Sequence, residues 1–167
     1  MECLKKFRLL NNRQKAYISG KIDFQLEMMS HEQDSENMLD VLVLTGNMED
    51  GMVLDSANEE RIYCPEYIKK YGERLHCGIR ITSNHLNPVY VINDILGISK
   101  KPPRDGDTCI LIHKPTGRAF IRKMQQGNPC HLLPINGYGD IITVDPNNHT
   151  DMVQWLKFGV VIAVLRR

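Results

Sequence analysis

No apolar run in the 167 residues approaches the length of a membrane span. The basic first residues are followed by no apolar stretch of the kind a secretory leader carries. Excess charge is lacking too. The 21 Lys and Arg face 20 Asp and Glu, and a balance of +1 gives the whole chain no bias toward nucleic acid or anionic lipid. No internal repeat or low-complexity tract stands out. The five cysteines (Cys3, Cys64, Cys77, Cys109, Cys130) are odd in number and scattered, which suits neither a disulfide framework nor a close-spaced zinc knuckle. Reduced, buried thiols in a soluble cytoplasmic protein are therefore expected. Cys109 with His113, or Cys130 with His131, can be drawn as metal pairs. Both pairs fall on predicted strands, where such neighbours arise by chance, and neither a metal nor a cofactor is expected.

What is present is globular: 42% hydrophobic and 25% charged residues, enough for one ordinary domain with a core and a short extra arm. Lys5, Lys6, Arg8, Arg13, Lys15 and Lys21 stand against Glu2 alone, a modest basic arm. In "KIDFQLEM", Ile22, Phe24, Leu26 and Met28 alternate with polar residues, which predicts a strand with one buried face. "SHEQDSEN", residues 30–37, is polar and rich in breakers and reads as a linker. Residues 1–40 are thus an arm and linker, and 41–167 a β domain.

Within that domain "MLDVLVLT" reads as a strand closed by the turn or loop "GNMEDG". Pro65 is placed to open a brief helix that stops at Gly72. "HCGIRIT" and "VYVIND" read as strands, "KKPPRDGD" as a proline-rich turn, and "TCILIHK" and "RAFIRKM" as a hairpin around "PTG". "CHLLPI", "DIITVD" and "LKFGVVIAVLRR" complete the series. Many short strands with Gly, Pro and Asn between them predict a mainly β fold with a partly closed sheet.

Five fragments in this order resemble a known family. "ITSNHLNP", "RDGDTCILI", "FIRKM", "HLLPINGYGDIITV" and "KFGVVIAVLRR" are similar to the self-cleaving repressor domains of LexA, the lambda-type phage repressors and UmuD. Those domains carry Gly-Asp-Ser-Met-x-Pro, an Asp-Gly-Asp turn, Val-Lys-Arg-Leu, Leu-Leu-Pro-x-Asn and a terminal Gly-Val-Val strand. "TGNMEDGMVLDSANEERIYCPE" is similar to the family's scissile Ala-Gly segment with its following acidic stretch and Pro-Glu. The resemblance covers about residue 42 to the end. It implies a LexA-like sheet with one short helix.

The family's reaction uses a serine nucleophile and a desolvated lysine, neutral enough to take the serine's proton. In one register the resemblance puts His85 at the nucleophile position and Arg122 at the base position, with Asp50-Gly51 as the scissile pair. Histidine has no hydroxyl, and arginine stays protonated. That register leaves an insertion at roughly residues 89–103 and implies a domain that lost the reaction. In the other register Ser99 is the nucleophile and Lys123 the base, although alternation sends Arg122 and Lys123 to opposite faces. His85 also reads as a plain turn histidine, Arg122 as a residue covering the sheet with its stem, Ser99 as a loop serine and Asp50-Gly51 as a common turn.

The resemblance implies a non-catalytic, self-associating regulator in phage-repressor or SOS-type transcriptional control, with a homodimer built through the apolar C-terminal strand. Residues 1–40 are too short for a complete helix-turn-helix reading head, so a related repressor or another regulatory protein is the expected further partner. The basic arm is a weak candidate for phosphate contact. An active Ser99–Lys123 autopeptidase is the alternative.

Overall fold

The computed structural model describes residues 11–47 and 51–166. Asp50 of the predicted scissile pair, and Lys5, Lys6 and Arg8 of the basic arm, lie outside them. Two compact units meet at Met38 and Leu39.

In the first unit, helix α1 (Asn12–Glu36) occupies the span predicted to hold a strand and a linker. The local reason is a capping box. Asn11 Oδ1 accepts from the Gln14 backbone N–H at 2.9 Å, and Gln14 Oε1 accepts from the Asn11 N–H at 3.0 Å. Downstream stand good helix formers, a single glycine and no proline. Ile22, Phe24 and Leu26 are all exposed, so their alternation buries nothing. The polar run 30–37 continues the helix to Glu36, and only Asn37 stands outside it as a turn.

The second unit is mainly β. Nine strands form one sheet: β1 (Met38–Asn47), β2 (Gly51–Tyr63), β3 (Cys77–Ile81), β4 (Ile95–Ser99), β5 (Thr108–His113), β6 (Arg118–Gln125), β7 (Cys130–Pro134), β8 (Ile142–Val144) and β9 (Trp155–Leu165). Their order is β2-β1-β3-β4-β9-β5-β6-β7-β8, and Met52 of β2 also pairs with Ala119 of β6. That extra pairing curls the sheet into a partly closed form. Two short helices accompany it, α2 (Pro65–Tyr71) and α3 (His149–Gln154), so the described residues hold three α-helices where one was expected. Pro65 opens α2 and Gly72, at φ 53°, ends it, as its sequence predicts.

Alternation divides the apolar residues among three cores. Leu96 and Ile98 of β4, Ile110 of β5 and Ile121 of β6 share the first with Ile79 and Ile81. Ile95, Ala163 and Leu165 pack in the second with Tyr67, Ile68 and Tyr71 of α2. Cys109, Leu111, Leu132 and Val160 make the third, against which Trp155 packs.

The stretch "VYVIND" is a loop, not a strand. Val89, Val91 and Ile92 are exposed, and Asn93 sits at φ 73°, a left-handed conformation that ends extended backbone. The strand follows immediately as β4, buried along its whole length between β3 and β9. Residues 95–99 of the region expected as an insertion are therefore a central strand. Among the described residues no helix is long and apolar enough to cross a membrane.

Candidate functional site

His85 lies in the turn between β3 and β4, and its side chain is exposed. Its neighbours anchor that turn, with Leu86 and Tyr90 buried in the first core. The turn is also stitched to the loop after β7: Asn136 Nδ2 donates to the carbonyls of His85 (2.8 Å) and Asn87 (3.2 Å). "HLNP" and "LLPIN" thus meet through one side-chain amide. Asp94, almost wholly buried, closes the turn by accepting from the Val91 N–H at 3.0 Å and pairing with Arg166 Nε at 3.5 Å. Asn136→Ala is expected to cost about 1–2 kcal/mol by leaving two carbonyls short of a donor. Native-state hydrogen exchange checks this: amides of residues 84–94 should exchange faster, while those of β5 and β6 hold.

Arg122 is on the third-core face of the sheet, opposite Cys109. On β6, Ala119 and Ile121 face the first core, so Lys123 shares their face by alternation, and Phe120 and Arg122 take the opposite one. Lys123 is exposed and paired across from Thr108. Ser99 is buried, its Oγ accepting from the Lys101 N–H at 3.3 Å. One register row links these positions. Ser99 stands opposite Val160, Val160 opposite Cys109, Cys109 opposite Arg122, and Arg122 opposite Pro134. Ser99 is therefore three strands from β6, roughly 14 Å at the usual strand spacing, and it shares a face with Arg122, not with Lys123. The structure does not bring Ser99 and Lys123 together. The two side chains occupy opposite faces. Gly51 opens β2, whose next residue, Met52, pairs with β6.

What the structure does assemble is a pocket around Arg122 that the sequence did not point to. Its walls include Phe120, Arg122, Tyr138, Asp140, Ile142 and Trp155, around a cavity of about 580 Å³. Arg122 is only 6% exposed. Nη1 donates to the Ile121 carbonyl at 3.0 Å, and the guanidinium carbon lies 5.5 Å from the Phe120 ring centre. Burial lowers its pKa, which the negative Asp140 opposes, and the group remains a cation. His113 tilts against Trp155 at 4.8 Å, and Phe120 meets the indole edge-on at 5.5 Å. The pocket escaped the sequence reading because its members come from β5, β6, β8, β9 and the loop after β7. The sole tryptophan, at 155, was the one local hint.

The four described thiols sit in or against the cores. Cys64, Cys77 and Cys109 are buried and Cys130 half-buried, and none of the four is in a disulfide. Among the described residues no cluster of His, Cys, Asp and Glu has the make-up of a metal site. No family model matches the chain, and no curated protein matches it.

Proposed function

We propose that the chain is a non-catalytic, self-associating regulatory domain of the LexA/UmuD kind, acting through protein contacts in repressor or SOS-type transcriptional control. The observation that carries this reading is the half-covered edge of β9. β4 pairs with residues 160–165 of β9 and β5 with residues 155–160. On the β5 side, Val161, Ile162, Ala163, Val164 and Leu165 thus run on beyond the last ladder partner. Tyr67 Oη donates to the Val164 carbonyl at 3.2 Å, a contact that a pairing strand displaces or shares. An apolar half-strand with open backbone groups is a template for pairing, and two copies satisfy it symmetrically about a two-fold axis.

The positions that the resemblance assigns to chemistry support a role without cleavage. His85 is exposed in a turn, while Arg122 is a buried, permanent cation. A related repressor with the same terminal strand is the natural second partner, since the pairing uses backbone groups that any such strand presents.

Sedimentation equilibrium tests the reading. The full chain is expected to give twice the chain mass at micromolar concentration, and Ile162→Lys to return it to a monomer with unchanged circular dichroism. Hydrogen exchange supplies a readout without mutation: amides of residues 161–165 should gain protection as concentration rises. A monomer at every concentration, with those amides exchanging equally fast throughout, overturns the proposal.

A further inference from the structure

Arg122 carries a buried N–H that no described residue satisfies. Its Nε is enclosed and has no hydrogen-bond partner, and no carboxylate among the described residues closes an ion pair with it. A buried cation with an idle donor is costly, and an anion beside the guanidinium offsets that cost. The cavity beside it is of the size that holds small molecules.

The walls select the occupant. A guanidinium matches a planar, singly charged oxyanion by presenting parallel N–H donors. Asp140 at the same cavity disfavours a second negative charge, so a carboxylate fits better than a phosphate dianion. Phe120, Trp155 and Ile142 offer aromatic and aliphatic surface for an apolar body next to that charge. His113 is held by Thr116, Nδ1 to Oγ1 at 2.9 Å, and helps set the face of Trp155. We infer that this pocket binds a small aryl carboxylate, its carboxylate against Arg122 and its ring against Phe120 and Trp155. The inference is independent of the self-association reading, since it uses none of the β9 edge past Val160.

Trp155 is the only tryptophan, and it lines both this pocket and a neighbouring apolar one beside Met124 and Met152, so the variants at Arg122 and Asp140 assign any change in its fluorescence. Benzoate and phenylacetate are expected to change that emission saturably in the full chain. Benzamide, which keeps the ring and loses the charge, should do so at least about 10-fold more weakly. Inorganic phosphate should leave the emission unchanged. Arg122→Met is expected to weaken benzoate binding by about 10- to 100-fold, and Asp140→Asn to tighten it about 5-fold by removing the like charge. Asp140→Asn alters an exposed side chain, so it keeps the test decisive if Arg122→Met does not fold. The arginine Nε–H resonance gives a second signal: for Arg122 it should shift with benzoate at the same midpoint. No saturable change in either signal with millimolar benzoate or phenylacetate overturns the inference. So does benzamide binding as well as benzoate, or phosphate binding better.

Discussion

Between pH 9 and pH 11 the chain is expected to lose on the order of 5 kcal/mol of folding stability. The source is a pair of buried thiols. Burial pushes Cys77 and Cys109 from 9.0 up to about 11, with Asp107 adding to the effect at Cys109. Both side chains lie within packed cores, Cys77 in the first and Cys109 in the third. Below pH 9 each thiol is protonated whether the chain is folded or not, and its contribution to stability is intact. Above pH 9 the unfolded chain releases the proton, while the folded chain holds it until about pH 11. Each group thereby withdraws about 2–3 kcal/mol as pH rises across that window. Burial also raises Tyr90, which extends the same trend upward. A loss of this size is comparable to the whole stability of a marginal domain. Urea midpoints at unit steps from pH 7 to pH 11 measure it. Cys77→Ala combined with Cys109→Ala should flatten the decline above pH 9 while lowering stability at pH 7. An unchanged slope in that double variant would refute the assignment.

Much of the β unit was legible because local rules agree there. The hairpin of β5 and β6 turns at residues 114–117, where Gly117 takes φ 66°, and its two strands alternate cleanly between cores. Proline before and glycine after mark α2 unambiguously. The failures share one cause, a local pattern read without its partner. Ile22, Phe24 and Leu26 alternate as a strand does, but they are exposed, and the Asn11–Gln14 box starts a helix instead. Val89, Val91 and Ile92 look apolar enough for a strand, yet the buried strand is the next five residues. Gly97 fits closely there: an added Cβ would meet Leu75 Cδ1 at 2.8 Å and Ala163 Cβ at 3.0 Å, so both neighbours would have to shift. The pocket at Arg122 was least accessible, since it depends on the mutual register of β5, β6 and β9 and on where the loop after β7 returns.

Gly159→Ala is expected to lower the melting temperature by about 4–12 °C, from a penalty of about 2–3 kcal/mol. The residue stands where β4 and β5 both reach β9. It pairs with Ile110 on one side, and its successor Val160 pairs with Ser99 on the other. A methyl group at this position runs into Ile98 Cγ2 and comes within 2.8 Å of the Ser99 carbonyl oxygen. A side-chain tip is able to turn aside, but a backbone carbonyl inside a sheet cannot do so without breaking its ladder. This gives the glycine of "FGVVIAVL" a purely steric reason, apart from any resemblance. Gly20 in α1 is the control: an added Cβ meets nothing within 4 Å, so Gly20→Ala should raise helix content by about 0.5–1 kcal/mol and leave the β transition alone. The comparison also separates stability from association. Gly159→Ala should weaken self-association only as far as it unfolds the sheet, whereas Ile162→Lys should abolish the pairing while the melting temperature stays within a few degrees. If Gly159→Ala melts like the parent chain, β4 does not lie against β9 in the register that places Ser99 beside Val160, and the row that separates Ser99 from β6 goes with it.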